Sequence, residues 1–136
     1  MTGQTVRRRV ALVGLLISVL GYAEESKELV VGEIQSLLTR LESSNCRFNR
    51  NGVWYSATDA RRHLERKLES TGSLRSAEQF VERIASKSSM TGEPYLVSCD
   101  DVVPVRSRDW LLAQLREIRA DSRDAVQQDE PGSRQP

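Results

Sequence analysis

The sequence predicts an α+β domain, a three-stranded antiparallel sheet packed with about four helices, and three observations carry that expectation. Apolar residues recur at helical spacing in four separate stretches, near 30–41, 57–68, 77–85 and 110–118. Two stretches, 46–55 and 94–99, change to the period of an extended chain. The first is interrupted by Asn51-Gly52, a pair suited to a two-residue type I′ hairpin turn, whose central residues both need positive φ.

Taken from the N-terminus, residues 1–23 read as a secretory signal peptide. Arg7, Arg8 and Arg9 form a basic leader, Val10 to Leu20 is uncharged and apolar, and Gly21 and Ala23 put small residues where cleavage needs them. The apolar run is shorter than the roughly 20 residues of a membrane-spanning helix. An uncleaved N-terminal anchor is the alternative. After cleavage no membrane insertion is expected, and no cysteine follows the cleavage region to carry a lipid.

In the exported part, Ser26 is placed to cap a helix reaching about Leu41, with Val30, Ile34, Leu37, Leu38 and Leu41 on one stripe. Gly32 inside it costs up to about 1 kcal/mol relative to alanine, which loosens the first half. The hairpin turn then sets Arg50 opposite Val53, Asn49 opposite Trp54 and Phe48 opposite Tyr55. Cys46, Phe48, Val53 and Tyr55 share one face; Trp54 lies on the other, where the last helix is expected to cover it, an exposed interface anchor being the alternative. Ser56 and Asp59 open a second helix that closes near Gly72, with Ala57, Ala60, Leu64 and Leu68 inward. Ser76 and Gln79 cap a third, with Ala77, Phe80, Val81, Ile84 and Ala85 inward and an end near Ser86.

Residues 86–95, "SKSSMTGEPY", have the composition of a turn that stops this helix and starts a third strand. Tyr95, Val97 and Cys99 share a face of that strand, which set antiparallel to the first brings Val97 to Phe48 and Cys99 to Cys46. Residues 100–106 read as a loop around Pro104. Ser107 is the expected cap of a last helix with Leu111, Leu115 and Ile118 inward. The single domain therefore spans 24–120, and residues 121–136 read as a disordered polar tail.

Charge narrows the partners. The whole chain carries a net +1, but residues 1–23 hold three arginines and no acid, leaving 17 basic against 19 acidic residues and a net −2. That balance argues against a nucleic-acid partner, which would call for a basic patch on the phosphates. Cys46 and Cys99 are the two cysteines, and in an oxidising compartment a pair so spaced reads as one disulfide; two buried thiols are the alternative. With one histidine and no CxxC pair, neither a metal site nor a cofactor is expected.

"FNRNG" (48–52), "ARRHL" (60–64) with Lys67, "AEQFVERIASKSS" (77–89) and "TGEPYLV" (91–97) occur in this order and spacing. Together they resemble the YfeK-like family of small exported bacterial proteins, a domain of unknown function, over roughly residues 29–118. The resemblance implies a periplasmic address in a Gram-negative bacterium. It implies no activity and no site residues.

Candidate chemistry must come from the residues themselves. His63 sits at the edge of its helix's apolar stripe, where a general base could reach a cleft and where a packed structural histidine would also sit. A serine of the 86–91 loop with His63 and Asp59 would supply the residue types of a small hydrolase, yet no G-x-S-x-G elbow or S-x-x-K motif is present. Asp100 and Asp101 are adjacent, so in a strand they would face opposite ways and could not flank one glycosidic bond. Arg61, Arg62, Arg66 and Lys67 are interleaved with acids, the pattern of a solvated face. Hydroxyls and free N–H groups in a glycine-containing turn can hold a carboxylate or phosphate. The expected binding surface is therefore the hairpin tip with the 86–94 loop: Arg50, Asn51, His63, Lys67, Ser88, Ser89 and Thr91. The sequence favours a non-enzymatic module binding a periplasmic partner protein or a small envelope ligand. A hydrolase using His63, or a purely structural envelope protein, is the alternative.

Overall fold

The computed structural model describes Gly3 and residues 18–129, so most of the expected signal segment and the end of the expected tail lie outside the described residues. Four helices and an antiparallel sheet share one hydrophobic core. The elements run α1 (Ser18–Ser43), β1 (Cys46–Arg50), β2 (Val53–Tyr55), α2 (Ala57–Glu69), α3 (Ala77–Phe80), a π-helical turn (Val81–Ala85), β3 (Leu96–Cys99), β4 (Val105–Arg106) and α4 (Ser107–Gln128). No helix among the described residues is long and apolar enough to cross a membrane.

The strand order is β2-β1-β3-β4, so β1 and β3 are central. Phe48 pairs with Tyr55, and Cys46 and Phe48 pair with Cys99 and Val97, the register expected from side-chain alternation. Asn51 and Gly52 have φ of 51° and 82°, as a type I′ turn requires. Cys46 and Cys99 are directly opposite, with Cα atoms 4.1 Å apart, and are joined by a disulfide.

The fourth strand corrects the expected three. Val105 and Arg106 pair with Val97 and Leu96 inside what reads in sequence as a loop. A two-residue strand behind a proline has too few positions to show a period, so only its neighbour reveals it. Asp100 and Asp101 form the turn before it, both at positive φ (51° and 58°), with the Val102 N–H donating to the Cys99 carbonyl at 3.1 Å.

The core is built from the expected stripes. Leu37, Leu38, Leu41, Phe80, Ile84 and Leu111 are fully buried, and Phe48 and Val97 bring the sheet to them. Burying a side chain of this size stabilises by about 1.5–3 kcal/mol. Arg119 of α4 donates to Glu33 of α1 and to Glu78 of α3, tying three helices together. Arg61 is held by Glu42 and Glu65 and Arg62 lies 3.6 Å from Asp59, as expected of a solvated face. Lys67 of the same run turns inward instead, because its ammonium meets the Ile84 carbonyl and the Tyr95 hydroxyl.

Several boundaries differ from expectation. Ser26 lies within α1, its hydroxyl donating to the Ala23 carbonyl, so it caps nothing. Residues 18–23 of the expected signal segment are already in that helix. Arg106, not Ser107, is the N-cap of α4, and the buried Ser107 hydroxyl donates to the Ala85 carbonyl. α4 continues to Gln128, past Asp121, because a polar stretch without glycine or proline can extend a helix already anchored on the core. Trp54 is not covered by α4. The α4 tryptophan, Trp110, instead packs edge-on against Phe48 at 5.8 Å, on the core face. Trp54 lies half-buried on the other face, beside Arg47 and Ser98.

Candidate functional site

Three elements converge where the core face of the sheet ends. His63 and Lys67 are four residues apart on α2, so they lie on the same side of the helix, at the margin of its buried stripe. Arg50 follows Phe48 by two residues on β1 and therefore projects from the core face at its rim. Tyr55 ends β2 opposite Phe48, and Tyr95, buried, immediately precedes β3.

Their side chains form one hydrogen-bonded chain. Arg50 donates through Nη1 to His63 Nδ1 at 2.5 Å and through Nη2 to the Tyr55 hydroxyl at 3.1 Å, with its guanidinium 4.7 Å from the Tyr55 ring centre. A guanidinium cannot accept, so Nδ1 is the acceptor and the proton of neutral His63 sits on Nε2. Nε2 then donates to the Tyr95 hydroxyl at 3.0 Å. Lys67 donates to the same hydroxyl at 3.3 Å, and its ammonium lies 5.1 Å from the Tyr95 ring centre.

Lys67 has a second task. Its ammonium donates to the carbonyls of Ile84 at 2.6 Å and Lys87 at 3.0 Å. Widening α3 into a π-helical turn frees carbonyls at its end. Lys67 takes Ile84, Ser107 takes Ala85 and Ser86 takes Glu82. A cation at a helix C-terminus is also favoured by the helix dipole.

The electrostatics follow from this crowding of bases. Burial, then Arg50, Lys67 and Arg66, push His63 down from 6.5 to about 4, so the ring is neutral near pH 7. Burial, with Arg50 behind it, also holds Lys67 below its ordinary value, and burial raises Tyr95. Among the described residues neither Arg50 nor Lys67 forms a salt bridge with a carboxylate.

The 86–95 stretch folds back on itself, with Ser88 N–H donating to the Glu93 carbonyl and Tyr95 N–H to the Ser86 carbonyl. The buried Ser88 hydroxyl accepts from the N–H groups of Met90 and Thr91, each at 3.3 Å, and Gly92 supplies a φ of 74°. The hairpin tip clamps this loop: Thr91 donates to Asn51 Oδ1 at 2.8 Å, and Asn51 Nδ2 reaches Ser88 at 3.5 Å. These hydroxyls are occupied in turn-making. Ser89 is exposed.

Six of the seven residues expected at a binding surface, Arg50, Asn51, His63, Lys67, Ser88 and Ser89, line one recess of about 440 Å³. Thr91 joins them through Asn51. On the other side of the Arg50–His63 pair lies a cleft of about 290 Å³, walled by Leu41, Phe48, Ala60, Leu64 and Ala85. Arg50, Tyr55, His63 and Tyr95 line both and form the partition. Asp59, Arg62 and Arg66 lie along the polar wall of the cleft. Asp59 accepts from Ser56 at 3.0 Å and lies 3.6 Å from Arg62.

Tyr55 and Tyr95 belong to this cluster although sequence reasoning did not select them. The available signal was alternation, which puts Tyr95 on the Val97 face beside any helix carrying His63 and Lys67. The Ser–His63–Asp59 arrangement is not assembled. His63 gives one nitrogen to Arg50 and the other to Tyr95, and Asp59 is held by Ser56. Among the described residues no group of three or more His, Cys, Asp and Glu side chains is arranged to hold a metal ion.

The fold and cluster define a small disulfide-bonded α+β domain, and the chain belongs to a family of unknown function (DUF5329), whose model matches residues 29–119. It is similar to the uncharacterized protein YfeK of Salmonella typhimurium, with 34% identity over 87 residues, covering 62% of this chain and 72% of that protein. No solved structure matches.

Proposed function

We propose that this chain is a periplasmic, non-enzymatic binding module that takes a small envelope ligand in the recesses beside the Arg50–His63 partition, next to the hairpin tip. The observation that supports this reading is the convergence of Arg50 from β1 with His63 and Lys67 from α2 beside a pair of recesses that share the Arg50–His63 partition. Concave, partly apolar sites with a few convergent polar groups are where small ligands bind. The periplasmic address rests on the basic-then-apolar order of residues 1–23 and on a disulfide that an oxidising compartment would preserve.

A fragment screen against the protein, followed through the NMR signals of Arg50, His63 and Ser89, tests the reading. Binders that shift these signals, and lose that effect when Ala60→Phe fills the cleft, are expected. A screen in which no compound moves them would return the cluster to a purely structural role.

A further inference from the structure

We infer that the ligand is an organic monoanion, a carboxylate on an apolar body, with the carboxylate on the Arg50–Tyr55–Tyr95 partition and the body in the cleft walled by Phe48, Ala60 and Leu64. This rests on the binding reading above and names the ligand class.

The inference comes from counting donors. A guanidinium has five N–H groups, and Arg50 gives one to His63 and one to Tyr55. Three remain, at a side chain that lines both recesses. The Tyr55 oxygen accepts from Arg50, and the Tyr95 oxygen accepts from His63 and Lys67, so each phenol keeps its own hydrogen to donate. His63 has neither a spare acceptor nor a spare donor. What the cluster offers is therefore N–H and O–H groups beside a fixed positive charge, with no carboxylate among its members. Such a set is completed by an acceptor-rich, negatively charged group.

The charge of that group is set by Lys67. All three of its hydrogens are directed, to Ile84, Lys87 and Tyr95, so its ammonium adds potential without a free donor. Arg50 is the partition's cation with N–H groups left over. On the cleft's polar wall the Asp59 carboxylate, 3.6 Å from Arg62, offsets one of the two arginines there, so the partition itself matches one negative charge better than two. The planar fork of a guanidinium also fits a carboxylate in bidentate fashion. Beyond the partition one wall is aliphatic and aromatic, opposite the polar wall of Asp59, Arg62 and Arg66, and about 290 Å³ holds a body of several carbons rather than a bare ion.

Titration of the protein with hexanoate, hexanamide, acetate and inorganic phosphate, followed by calorimetry and by the same NMR signals, tests this. Hexanoate is expected to bind about tenfold or more tighter than hexanamide, which lacks the charge, and than acetate or phosphate, which lack the apolar body. Arg50→Gln should erase the preference for hexanoate over hexanamide, and Ala60→Phe should abolish hexanoate binding with the circular dichroism unchanged. The wild-type comparison stands even where a variant folds poorly. If screen compounds occupy the recess but hexanamide matches hexanoate, or phosphate exceeds it, the monoanion inference is overturned and the binding reading stands. If nothing shifts the partition signals, both fall together.

Discussion

His63 shows how one residue's chemistry is decided by its neighbours. Helical spacing places it at the edge of a buried stripe, compatible with a base, a ligand or a packed ring. Burial, with Arg50, Lys67 and Arg66 behind it, keeps it neutral, and the guanidinium on one nitrogen and the phenol on the other fix its tautomer. The unfolded chain carries this histidine near 6.5 and the folded one near 4, so between those values only the unfolded state takes up the proton. Its stabilising contribution is complete above about pH 6.5, declines as the pH falls towards 4, and is lost below that. Urea midpoints measured from pH 7 down to 4 should therefore fall. His63→Gln, which keeps an acceptor for Arg50 and a donor for Tyr95, should flatten that decline. A wild-type midpoint constant across the window would mean that the imidazole is not held neutral. Little of this was legible in "ARRHL": Arg66 and Lys67 lie on the same helix, but the burial that leads the shift, Arg50 and the Tyr95 hydroxyl reach the ring only through packing.

At the scale of elements, the 86–95 stretch divides its serines by job. Ser88 replaces a continuing helix with a capped turn, while Ser89 faces solvent. Ser88→Ala should cost about 1–2 kcal/mol, since two N–H groups lose their acceptor. Ser89→Ala should stay within about 0.5 kcal/mol. Chemical denaturation of the two variants, with hydrogen exchange at Thr91, separates them; equal costs would show that composition rather than the Ser88 bonds makes the turn. The helix that this loop stops was legible to its last residue, because Ala77, Phe80, Ile84 and Ala85 keep the helical period. Its π-helical turn was not. Widening a helix by one residue per turn leaves the apolar spacing nearly intact over five residues, and what accommodates it is remote: Lys67 and Ser107 supplying donors to the freed carbonyls.

For the whole molecule, the disulfide is the longest-range covalent constraint among the described residues, closing a loop between positions 53 apart. On the chain-entropy account it stabilises by roughly 4 kcal/mol. Reduction should lower the urea midpoint accordingly, and the Cys46→Ala/Cys99→Ala double variant should reproduce the loss without reductant. A midpoint unchanged by both would show that β1–β3 pairing and the core carry the fold unaided. By itself the sequence determined the class of fold, the four apolar stripes, the hairpin with its turn, and the pairing of β3 with β1 that sets Cys99 against Cys46. Those features are written in period, turn chemistry and register, which are local properties of the chain. It also singled out Arg50, His63 and Lys67 as residue types worth attention. Only the tertiary structure decided that these three meet with Tyr55 and Tyr95 in one partition, that a two-residue β4 closes the sheet, and that Trp54 stays off the core. Each depends on which surfaces touch. A side chain's charge, tautomer and spare hydrogen bonds are fixed by partners distant in sequence, and no local period records them.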